Sequence, residues 1–103
     1  MNVALLLSHA PAEGLRTAAA WARAGDDVTV ILLDGAAAAA RQGHRDGGEL
    51  RAALAAGVSV AVHDDALLRR GIGRDALTDA VKTVDLDEVA DLVAEGADKA
   101  VWL

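Results

Sequence analysis

Apolar residues fall in short unbroken runs, and the runs alternate with stretches in which they recur at helical spacing. Val3 to Leu7 is the first run, and such continuity is expected of a strand covered on both faces of a parallel sheet. Pro11 then stands where a helix prefers its first residue. Leu15, Ala18, Ala19 and Ala22 share one helical face, and Gly25 sits at the position of a carboxyl-terminal cap. Val28 to Leu33 reads as a second buried strand ending at Asp34-Gly35. Ala36 to Ala40 can continue as helix, whereas Gln42 to Gly48 reads as a polar loop. Asp46 and Glu49 have the spacing of a capping box ahead of Leu50, Ala53 and Leu54, with Gly57 closing that helix. Val58 to Val62 is the third strand, and Asp64 to Arg70 a short helix closed by Gly71. A more polar run at Val81 to Val84 predicts a less buried strand. Asp85 and Glu88 repeat the capping-box spacing before Val89, Leu92 and Val93, and Gly96 ends that helix. Lys99 to Leu103 is the last strand.

Strands that alternate with helices predict an α/β protein, a three-layer α/β/α sandwich with a parallel sheet of about five strands. There is no internal repeat or linker, and 103 residues suffice for one hydrophobic core, so residues 1–103 are expected to form a single domain. The order of the strands is not encoded in this pattern.

Composition narrows the function classes. Hydrophobic residues make up 53% and charged ones 25%, as in a folded globular chain. Phe and Tyr are absent, and the core must be aliphatic with only Trp21 and Trp102 to supplement it. So thin a core gains from burial against another subunit. The net charge is −6, and the acidity is concentrated after residue 63. That sign is opposite to what a phosphate-tracking surface needs, so no nucleic-acid partner is expected. No apolar run approaches the roughly 20 residues of a membrane span. Met1-Asn2-Val3 opens into a strand without a basic leader, which makes a cytoplasmic location the economical expectation. The chain has no cysteine, which excludes disulfides, thiolate metal sites and thiol nucleophiles together.

Candidate chemistry lies at the strand ends. In a parallel sheet, ligands bind outside the carboxyl ends of the strands. His9 follows the first strand, His44 lies in the loop beyond the second, and His63 ends the third, so all three histidines are expected near the carboxyl rim. Imidazoles gathered there would bind a metal or a small ligand, or shuttle a proton. Asp34 and Asp64 share the rim, although Asp64 is also the natural N-cap of the helix after strand three. The spacing names no metal and no cofactor. Gly71-Ile72-Gly73-Arg74-Asp75-Ala76 has the glycine spacing of a dinucleotide fingerprint, but it follows a helix instead of the first strand. Ser8 lacks the surround of a nucleophile elbow. Trp102 is expected in the core or at a subunit interface.

Several segments taken in order resemble the DsrE/DsrF/DsrH family of sulfur-relay proteins, which includes the TusB, TusC and TusD subunits. They are Gly14-Leu15-Arg16-Thr17-Ala18, the Val28 to Val30 strand, Asp34-Gly35, the Gly57 to Ile72 segment, and the finish Asp98-Lys99-Ala100-Val101-Trp102-Leu103. The resemblance implies a compact α/β/α domain assembling as a trimer or hexamer, with itself or with related subunits. In sulfur-carrying members a cysteine ends the third strand, before a helix closing in Arg-Gly-Ile. Aligned on Arg70-Gly71-Ile72, that position is His63, and an imidazole cannot hold a persulfide. The resemblance therefore implies a non-catalytic structural or regulatory partner in sulfur relay or sulfur metabolism. The alternative from the residues alone is a small-ligand or metal-binding protein, or an enzyme, that uses the histidine rim.

Overall fold

In the computed structural model, which describes residues 1–103, the five strands are β1 (Asn2–Leu7), β2 (Asp27–Leu32), β3 (Ser59–His63), β4 (Lys82–Val84) and β5 (Lys99–Trp102). They form one parallel sheet in the order β4-β3-β2-β1-β5. The helices are α1 (Ala12–Arg23), α2 (Gly47–Ala55), α3 (Asp64–Arg69) and α4 (Leu86–Ala94). Ala36 to Ala40 does not extend as an α-helix. It belongs to a 3₁₀ helix, Asp34–Ala40, whose Ala36, Ala37, Ala39 and Ala40 are all buried. No helix is long and apolar enough to cross a membrane.

The strand order determines which face each helix covers. β1 to β4 are laid down in sequence toward one edge, and right-handed crossovers place their connections on the same face. Leu15, Ala18 and Ala19 of α1, Leu50 and Ala53 of α2 and Ala66 and Leu67 of α3 pack there on Leu5, Leu7, Val30, Leu32, Val60 and Val62. The return from β4 to β5 runs the other way, so α4 lies on the opposite face. Its Val89 meets Leu6, Ile31, Ala61 and Val84. The two cores are unequal, 19 buried residues against 5, because α4 alone serves the second face.

Alanine and glycine in α1 let it sit low on the sheet. A Cβ at Gly14 would lie 2.9 Å from Leu7 Cδ1 and against Cδ2, inside the fully buried surface of β1. Of the two capping boxes expected from spacing, one forms. Asp85 Oδ1 accepts from the Glu88 N–H at 2.8 Å, and Glu88 Oε1 accepts from the Asp85 N–H at 3.1 Å. At α2 the spacing misleads: Asp46 makes no side-chain cap, and Glu49 instead pairs with Arg16 of α1 at 3.3 Å. Asp64 likewise is not the N-cap of α3. His63 holds that place, and the helix begins at Asp64 without a side-chain cap bond. Trp102 is not in the core, being 64% exposed.

Two pairs of substitutions test this packing. Alanine in a helix interior is favoured over glycine by about 1 kcal/mol, but overpacking a core costs about 1–3 kcal/mol. Gly14→Ala is therefore expected to destabilise the protein in urea unfolding. Gly48→Ala, in the first turn of α2 with nothing within 4 Å of the new methyl, is expected to stabilise it. Asp85→Ala removes the formed cap and should cost about 1 kcal/mol, whereas Asp46→Ala, which removes no cap, should cost clearly less.

Candidate functional site

His63 ends β3 as expected, with 15% of its side chain exposed. It pairs in register with Val84 and lies two residues after Ala61, so its ring points to the α4 face. Asp64 Oδ1 is 3.9 Å from its Nε2. The neighbouring cations do not form an anion site. Arg69 Nε is 3.1 Å from Asp65 Oδ2, and its Nη2 is 3.9 Å from Asp34 Oδ1, so two carboxylates offset its charge. Arg70 folds back to donate from Nη1 to the Ala66 carbonyl at 3.1 Å. Asp34 is an exposed residue at the carboxyl end of β2 and takes a left-handed conformation, with φ of 45°. Its carboxylate thus closes the rim between β2 and α3 through Arg69.

The structure does not bring the three histidines together. Between Asp34 and His44 the 3₁₀ helix carries the chain away from the rim, at about 2 Å per residue. There Arg41 bridges to Leu77, and Gln42 and Gly43 lie beside Leu54 and Ala55, near the amino edge of β3. His44 follows directly and is held in its own turn, its Nδ1 accepting from the Asp46 N–H at 3.1 Å. His44 is thus not a rim residue. His9 does lie at the rim, but β2 separates β1 from β3 and sets their ends about 10 Å apart. His9 also lines the α1 face, opposite to the face that His63 addresses. No three His, Cys, Asp or Glu side chains come together in a way that could hold a metal ion. No polar or charged side chain is buried, so no acid or base is held away from solvent.

What sequence reasoning missed follows from the strand order. The direction of winding reverses between β1 and β5, and an open α/β sheet places its ligand crevice at such a reversal. A groove of about 780 Å³ runs from that reversal along the α1 face to the amino end of β5, and it is larger than the cleft of about 580 Å³ beside α4. His9, Glu13, Thr17, Trp21 and Lys99 line it over a floor that includes Leu7 and Val101. Of the candidate site residues named from the sequence, only His9 belongs to it. Ala10, also in the groove, has φ of 33°, a second strained non-glycine residue at a strand end.

No protein-family model matches the chain, and no curated protein matches it in sequence. Solved structures do match. The ychN protein from E. coli superposes with a TM-score of 0.90 at 23% identity, over 100% of this chain and 99% of that one. MTH1491, a protein of unknown function from Methanobacterium thermoautotrophicum, superposes with a TM-score of 0.77 at 14% identity, over 99% of this chain and 97% of that one. At such identities the likeness shows architecture alone, a five-stranded parallel α/β fold shared along the whole chain.

Proposed function

We propose that this chain is a non-catalytic, assembly-forming protein of the DsrE-like group, a cytoplasmic structural or regulatory partner in sulfur relay or sulfur metabolism. The observation that carries the reading is β5. It is an edge strand with no helix over it on either face, and its Trp102 points to the sparsely covered α4 side while 64% exposed. A large indole on a bare sheet edge is the kind of anchor that subunit contacts bury. The absence of cysteine supports a partner role over sulfur carriage, since the strand-three position that the family resemblance assigns to the thiol is occupied by His63. The assembly expected from the resemblance is a trimer or hexamer, of this chain alone or with related subunits. The rival reading, metal or ligand binding by the histidine rim, draws less support from this geometry, because His9, His44 and His63 do not converge.

Light scattering coupled to size exclusion tests the assembly. The wild type is expected to elute as a trimer or hexamer at micromolar concentration, and Trp102→Asp to dissociate it with its circular dichroism unchanged. A wild-type monomer that also captures no sulfur-relay subunit in a pull-down would overturn the reading. Calorimetric titration with Zn²⁺, Ni²⁺ and Cu²⁺ addresses the rival. Tight, stoichiometric binding lost in His63→Ala would favour it instead.

A further inference from the structure

We propose that the groove between α1 and β5 binds a small amphipathic carboxylate, with its apolar body along Leu7, Val101 and Leu103 and its acid group at Lys99. The groove exists because of how α1 packs. Gly14 lets the helix settle onto Leu7 and over β1 and β2, and no other element covers that face of β5. Its volume of about 780 Å³ lies within the range of small-molecule sites. From Lys99 to Leu103 the strand extends for about 13 Å, so the site suits an elongated molecule.

Charge sets the orientation. Lys99 stands at the amino end of β5 and forms no ion pair within the protein. Trp21, in the last turns of α1, lies toward the same end of the groove. Glu13, in the first turn of α1, lies at the opposite, carboxyl end, together with His9. An anion is therefore attracted to one end and repelled from the other. In a chain of net charge −6, a lysine left free beside an apolar floor is the feature that selects an acid over an alcohol or an amine. This groove lies on the face opposite Trp102, so the inference stands or falls separately from the assembly proposed above.

Octanoate, octanol and octylammonium serve as probes, titrated calorimetrically into the full chain. Octanoate is expected to bind saturably with one site per chain, and the alcohol and amine at least threefold more weakly. Lys99→Gln should weaken octanoate at least threefold and leave octanol unchanged. Val101→Trp, which fills the floor, should abolish binding in a protein whose circular dichroism is native. Thr17→Trp fills the same groove from the α1 wall and serves if that variant fails to fold. Absence of saturable octanoate binding overturns the proposal. So does equal binding of the three probes, an unaltered octanoate affinity in Lys99→Gln, or binding retained in a folded groove-filling variant.

Discussion

The connection from β4 back to β5 must carry the chain across the whole sheet, and α4 is the only helix in that connection. Four strand spacings amount to about 19 Å, whereas a single helix with its side chains is about 10 Å across. One short helix therefore covers the face on which three crossovers would otherwise be needed. The small second core, the exposed Trp102 and the uncovered β5 all follow from that mismatch. On the other face, α1, α2 and the 3₁₀ helix crowd together over β1 to β3, because alanine and glycine at their contacts bring backbones close.

The same constraint separates structural chemistry from binding chemistry. Along the rim between β2 and β3, the charges Asp34, Asp65 and Arg69 compensate one another, and Arg70 is tied to the backbone of its own helix. The polar groups of that region are engaged within α3 itself, apart from one exposed contact of 3.9 Å to Asp34. At the other side of β1 nothing of this kind is present. The winding reverses there, α1 does not reach β5, and a groove with a free lysine remains. Of the three non-glycine residues with a left-handed backbone, Ala10 and Asp34 follow β1 and β2, where the chain leaves the sheet, and Ala80 precedes β4.

Local signals were legible to different degrees, for identifiable reasons. Val3 to Leu7, Val28 to Leu33 and Val58 to Val62 announce buried strands because the apolar run is itself the surface they bury, the second ending one residue early at Leu32. The Asp85–Glu88 box is equally local, since every atom of it lies within four residues. The identical spacing at Asp46 and Glu49 fails because tertiary partners compete. Arg16 from α1 captures Glu49, while the Asp46 carboxylate faces His44 and Arg45. Ala36 to Ala40 carries no side chain able to distinguish α from 3₁₀ geometry. What tightens it is the 3₁₀ segment's fit between α3, α2 and the sheet.

The candidate site divides along the same line. The amino-acid sequence by itself determined the alternation of strands and helices, the missing thiol and the placement of His9 and His63 at strand ends, because each depends only on neighbours along the chain. Only the tertiary structure decided the rest. Strand order is a matter of long-range pairing, and it decides which faces His9 and His63 address and opens the groove beside Lys99, while the 3₁₀ helix packed on the sheet takes His44 from the rim. No periodicity in a single segment reports which strand will pair with β1 on its far side, since that choice is made by the chirality and reach of the crossover helix.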